Sequence, residues 1–214
     1  MPTPLFIKVC GLRTEQAVDT AVQEGADAIG FVFSTSPRQV DATTARALAR
    51  RVPETLLTVG VFRDQPLDDV RALAERSGVR AVQLHGDEDR GYYDALGAAG
   101  WTTIRGTAVR DRVPRRGELG EDLLLLDAAV PGAGVPWDWS GEQFTPPEGK
   151  WLLAGGLTPH NVQDAVRATR PWGVDVSSGI ESRRGVKDPA LITSFLRAAR
   201  TADRPRPRPE GRPA

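Results

Sequence analysis

Short apolar runs and segments of helical periodicity alternate along this chain from its first residues. Leu5-Phe6-Ile7-Lys8-Val9-Cys10-Gly11 is apolar and rich in β-formers, the pattern of a buried strand, and it ends on a cysteine and a glycine. From residue 14 to 24 the apolar positions Ala17, Val18, Ala21 and Val22 recur at helical spacing, with Thr14 as a capping residue and Gly25 where a C′ glycine belongs. The alternation continues with a strand over 28–33, a helix over 42–51, a strand over 57–62, a helix over 67–77 and a strand over 81–84. A helix over 92–99 and a strand over 102–106 follow, then a weakly patterned connection, a strand over 123–126, a long irregular loop and a strand over 151–154. A helix over 159–169 with proline at its start, a strand over 174–176 and a helix over 189–200 close the pattern.

This reading has eight strands, seven of them followed by a helix and one, after Leu126, by a poorly defined segment. Continuous apolar strands alternating with amphipathic helices predict an α/β protein with a parallel sheet covered by helices, and eight such units close into a single (β/α)8 TIM barrel. The rival doubly wound sheet lacks its glycine-rich fingerprint, since Cys10-Gly11-Leu12-Arg13 holds one glycine. The barrel domain is expected over 1–202. Residues 203–214 alternate proline and arginine and are expected to form a disordered tail.

Composition narrows the class. With 214 residues, 40% of them apolar, the chain can bury a large core. One cysteine excludes an internal disulfide and suits a reducing cytoplasm, the expected location. The 28 basic and 28 acidic residues balance, which argues against a nucleic-acid partner. No apolar run approaches a membrane span and no basic-then-apolar leader precedes the first strand, so no membrane partner is expected. Two histidines and one cysteine offer no metal-ligand spacing, and neither a metal nor a cofactor is expected. A monomer is the first expectation and a homodimer the alternative.

In such a barrel the C-terminal ends of all strands meet on one face. There the sequence delivers Cys10, Arg38, Gln83, His85, Asp127 and Asp175 from five different strand ends. Two turns stand beside them, Ala154-Gly155-Gly156-Leu157 and Ser177-Ser178-Gly179-Ile180, on the seventh and eighth strands. Glycines there let backbone amides approach a ligand, and this pair of loops holds phosphate in many barrels, so Gly155, Gly156, Ser178 and Gly179 are expected to bind the phosphate of a small phosphorylated substrate. Each turn alone would be read as a tight connection; the pair favours phosphate.

Several segments together resemble the phosphoribosylanthranilate isomerase family of tryptophan biosynthesis. They are Lys8-Val9-Cys10-Gly11-Leu12, Gly30-Phe31-Val32-Phe33 with Ser36-Pro37-Arg38, Gly60-Val61-Phe62, Val82-Gln83-Leu84-His85-Gly86, Leu125-Leu126-Asp127, Leu153 to Leu157, Gly173 to Glu181 and Gly185 to Pro189. The resemblance implies conversion of N-(5'-phosphoribosyl)anthranilate to 1-(2-carboxyphenylamino)-1-deoxyribulose 5-phosphate by an Amadori rearrangement, with Cys10 as base and Asp127 as acid. It further implies that Arg38 holds the anthranilate carboxylate and that Gln83, His85 and Asp175 line the pocket as substrate-binding groups. Those roles require a stabilised thiolate at Cys10 and a raised carboxyl pKa at Asp127.

Two departures from the family pattern stand out. Where the family carries Gly-Gly-Thr-Gly-Lys before an aromatic and Asp-Trp, this chain reads Pro131-Gly132-Ala133-Gly134-Val135-Pro136-Trp137-Asp138-Trp139, so a mobile lid would lack its Thr and Lys. Ser34-Thr35 precedes Ser36 in the second-strand loop, which could reshape the anthranilate end. The alternatives are a histidine-pathway or dual-substrate phosphoribosyl isomerase, whose barrels place Asp where Cys10 stands, and a non-catalytic phosphate-binding relative.

Overall fold

A computed structural model describes residues 4–109, 113–127 and 144–202. Eight parallel strands, β1 (Phe6–Cys10), β2 (Ala28–Val32), β3 (Leu57–Phe62), β4 (Ala81–Leu84), β5 (Thr102–Ala108), β6 (Leu123–Asp127), β7 (Trp151–Leu153) and β8 (Gly173–Val176), close into a barrel in sequence order. Closure comes from β1, which pairs with β2 on one side and β8 on the other, placing Lys8 opposite Asp175.

The alternation of side chains along each strand explains two separate cores. Residues pointing to the axis, among them Val59, Val61, Ile104, Leu125 and Leu152, fill the barrel interior together with Cys10. Their neighbours, such as Ile7, Val9, Phe31, Leu124 and Val174, pack against the helices. One face of the first strand therefore carries Lys8 and Cys10 inward, while Ile7 and Val9 serve the outer layer.

The helices are α1 (Glu15–Gln23), α2 (Ala42–Ala49), α3 (Leu67–Ser77), α4 (Arg90–Ala98), α5 (Val162–Thr169) and α6 (Pro189–Arg200). Local chemistry sets their ends. Thr14, Asp41 and Asp188 accept backbone N–H groups at the starts of α1, α2 and α6, and Gly78 ends α3 with φ +72°.

Three expectations change. Seven strands were expected to lead into helices, but among the described residues six do; Val113–Asp122, after β5, turns without a helix because Glu121 is buried and ties the segment through the amides of Gly117 and Leu119. Pro159 does not start α5: Asn161 accepts from the Thr158 amide and donates to the Gly156 carbonyl, holding 158–161 as a turn, and the helix begins at Val162. Finally, β8 runs into a short 3-10 turn, Ser178–Ile180, and a small antiparallel hairpin, β9 (Glu181–Arg183) with β10 (Val186–Lys187), which the periodicity does not reveal. The expected lid at 131–139 and the tail at 203–214 lie outside the described residues.

Candidate active site

Cys10 is the last residue of β1 and points to the axis, buried beside β2. Gly30 makes that position possible: a Cβ there would come 2.9 Å from the sulfur. Burial pushes the thiol pKa up; the Lys8 ammonium pulls it back, Asp175 adds to the rise, and Lys187 opposes it. The stabilised thiolate expected from the sequence is thus corrected, because removal from water outweighs the two cations.

Lys8 lies two residues below Cys10 on the same face, with no exposed surface, and its Nζ donates to Asp175 Oδ1 at 2.9 Å. Burial alone would depress its pKa, yet Asp175 and Cys10 more than offset this and leave it raised, so the side chain is an ammonium at any ordinary pH. A charged lysine inside a strand is costly unless paired.

Asp127 ends β6 and is buried. His85 Nε2 lies 3.5 Å from Asp127 Oδ2, too long for a well-formed hydrogen bond, and the Gln83 Nε2 stands 3.2 Å from His85 Nδ1. With the Gln83 amide as donor, Nδ1 is the acceptor and the imidazole carries its proton on Nε2, facing the carboxylate. Burial, then Lys8 and Arg63, lowers the His85 pKa to about 4, so the ring is neutral near pH 7. Gly106 gives the ring its space, since a Cβ there would approach Nδ1 to 2.8 Å.

Arg38 is held away from solvent by a residue that sequence reasoning left without a role. Its Nε and Nη2 donate to Glu181 Oε1 and Oε2 at 2.6 and 3.0 Å, so the bidentate edge expected to meet a substrate carboxylate is engaged and Nη1 stands outside that pairing. Glu181 also accepts from Lys187 Nζ and from the Gly185 amide. Burial would raise this carboxyl, but Arg38, Gly185 and Lys187 together hold it down to about 2.

The two glycine turns adjoin. Gly155 and Gly156 both take positive φ, +87° and +66°, while Gly179 packs so closely on the other loop that a Cβ would lie 1.8 Å from the Leu157 carbonyl oxygen. A cleft at this point is lined by Asp127, Gly155, Gly156, Asp175, Ser177 and Ser178. Ser177 Oγ donates to the Cys10 carbonyl at 3.3 Å, tying the end of β8 to the end of β1.

Of the residues singled out in the sequence, Gln83, His85 and Asp127 form one group, Cys10 and Asp175 a second around Lys8, and the glycine turns join them through the shared cleft. Arg38 belongs to a third group with Glu181 and Lys187. Lys8, Glu181, Lys187 and Asn161 were missed as functional candidates. The signal for Lys8 was present, a lone charge on the cysteine's face of an apolar strand; Glu181 and Lys187 meet only through the hairpin. Among the described residues no cluster of histidine, cysteine or carboxylates could hold a metal ion, and no helix is long and apolar enough to cross a membrane.

Comparison with known proteins agrees with this geometry. Residues 7–198 match the family model described as N-(5'phosphoribosyl)anthranilate (PRA) isomerase. The N-(5'-phosphoribosyl)anthranilate isomerase of Roseiflexus castenholzii is 42% identical over 94% of this chain and 100% of its own. The crystal structure of TrpF from Jonesia denitrificans superposes with a TM-score of 0.84 at 46% identity, covering 92% of this chain and 98% of that one. A phosphoribosyl anthranilate isomerase in complex with reduced 1-(o-carboxyphenylamino)-1-deoxyribulose 5-phosphate gives 0.75 at 30% identity, over 91% and 98%. A dimeric relative from Thermotoga maritima, solved as engineered monomers, gives 0.75 at 28%, over 92% and 99%.

Proposed function

The chain belongs to the N-(5'-phosphoribosyl)anthranilate isomerase family and is an isomerase of tryptophan biosynthesis, and from that premise we propose how its residues divide the reaction. Asp127 is the acid that protonates the furanose ring oxygen while the anthranilate nitrogen's lone pair forms the C1′=N bond and the C1′–O bond breaks. Cys10, as thiolate, then takes the proton from C2′; the C–H electrons become the C1′=C2′ bond of the enolamine and the C1′=N electrons return to nitrogen. Tautomerisation of the enolamine gives the aminoketose.

The observation that carries this reading is the cleft that Asp127 shares with the glycine turns and with Asp175, the neighbour of Lys8 and Cys10. A phosphate on the amides of Gly155, Gly156, Ser178 and Gly179 would anchor the sugar's far end between acid and base. His85, neutral and turned by Gln83, would orient the Asp127 carboxyl, and Asp175 would face the sugar hydroxyls. Arg38 would meet the anthranilate carboxylate through Nη1, with Glu181 fixing the opposite edge of the guanidinium. None of these steps needs a cofactor.

A steady-state assay with freshly prepared phosphoribosylanthranilate tests the assignment. Cys10→Ser and Asp127→Asn should each lower kcat by about 10²–10⁴-fold, the range of a lost general acid or base, with folding unchanged by circular dichroism. Full turnover in either variant would defeat it. The complex of the relative with the reduced product analogue supports a phosphorylated small molecule as ligand here. We further propose one catalytic unit over 1–202 and a cytoplasmic location suited to the lone thiol. A monomer is proposed although one relative is dimeric; light scattering on the eluting protein decides between them.

A further inference from the structure

We propose that Lys8 is a positioning residue for this isomerase: its buried ammonium, placed beside Asp175 and Cys10, answers the negative charge of the sulfur's reacting form and fixes the sulfur's place, and Asp175 limits how much of that charge the sulfur receives. The inference rests on Cys10 being the base. Three observations support it. Lys8 and Cys10 are two residues apart on one strand, so both side chains enter the barrel on the same side. The lysine is wholly buried, yet Asp175 Oδ1 is its carboxylate partner, at 2.9 Å on the strand across the closure. Cys10 is itself buried in the barrel interior, so the field of the ammonium reaches the sulfur with little screening by water.

An ammonium has three protons, and a carboxylate oxygen on one side leaves donors for an anion on the other. The charged groups facing Cys10 are Lys8 on its own strand, Asp175 on β8 and Lys187 on β10; β2 presents Gly30, which carries no charge. Lys187 is already committed to Glu181, the Ser177 carbonyl and Ser177 Oγ. Lys8 is therefore the cation best placed to answer the sulfur's charge. It stays protonated throughout, and the proton from C2′ ends on sulfur.

This arrangement makes opposite predictions for two neighbouring substitutions, which a purely structural role would not. Cys10 is the sole cysteine, so its alkylation rate against pH reports its thiolate directly without substrate. Lys8→Met should move the alkylation midpoint upward by about one pH unit or more, slowing alkylation about tenfold at neutral pH, and the acidic limb of kcat/KM should move with it. Asp175→Asn should move the midpoint downward, and the double variant should lie between the two singles. Lys8→Met leaves a buried carboxylate unpaired and can unfold the protein; the double variant removes both charges and keeps the question open to measurement. In the wild type, the Lys8 Cε resonance should shift with the midpoint of thiolate absorbance. Midpoints unchanged in the folded variants, or a Lys8 signal blind to the thiol, would overturn the proposal. Loss of turnover in Cys10→Ser bears on the base assignment, whereas the alkylation profiles bear on Lys8 alone, so the two failures are distinguishable.

Discussion

At the scale of single residues, the candidate site consists of buried charges that correct one another. Glu181 answers Arg38 and Lys187, as Asp175 answers Lys8. Neutralising Glu181 leaves two buried cations facing each other and frees the Arg38 fork. Glu181→Gln should therefore raise KM roughly tenfold, the scale of one charge-assisted hydrogen bond, with a smaller change in kcat, as initial-rate kinetics would register. An unchanged KM would show that Arg38 needs no such brace. Cys10, Arg38 and His85 were legible in the sequence because they stand at strand ends beside glycine or proline, and Asp127 because it is the charge that closes an apolar run. Lys8 was overlooked because an apolar run is read for its hydrophobicity, and its single charge looked like an exception within the strand.

Secondary-structure elements were legible where apolar runs are bounded by turn residues. Strands β3 and β4 and helices α3 and α6 occupy the residues that the pattern predicts, and α6 gains its start from Asp188 and Pro189. The small hairpin after β8 was not legible, since its strands are too short for a period and are fixed by Glu181 binding the Gly185 amide. The turns at the ends of β7 and β8 support a further prediction at this scale. Because Gly179 faces the Leu157 carbonyl with no room for a Cβ, Gly179→Ala must push the two phosphate-side loops apart. Such overpacking costs about 1–3 kcal/mol, read by thermal unfolding, and inorganic phosphate should lose its power to inhibit the variant competitively. Wild-type inhibition in the variant would remove these loops from the phosphate assignment.

For the whole molecule, barrel closure was legible from counting strands, while which interior groups would share a proton or a charge was not, because that depends on register across the β1–β8 seam. The same interior gives the fold a pH window. His85 is lowered to about 4 by burial and Glu181 is held to about 2, both below their unfolded values, so the unfolded chain binds their protons first as pH falls. Stability should decline from about pH 6.5 to 4 through His85 and from about pH 4.5 to 2 through Glu181, with the raised Asp175 offsetting part of the loss. On the alkaline side the raised Cys10 thiol keeps its proton longer in the fold than in the unfolded chain, so stability should also fall as pH rises past about 8.5. Urea titrations across that range, with Cys10→Ser flattening the alkaline branch, check the sign of each limb.

The seam between the first and last barrel strands also sets an order in time. Lys8 leaves the ribosome 167 residues before the carboxylate that will neutralise it, and the sulfur beside it waits equally long for its enclosure. At ordinary translation speeds that is roughly ten to thirty seconds during which the nascent thiol is open to any oxidant or electrophile in its surroundings. The polypeptide is thus most vulnerable to chemical damage at its future base before the last strand arrives to shelter it.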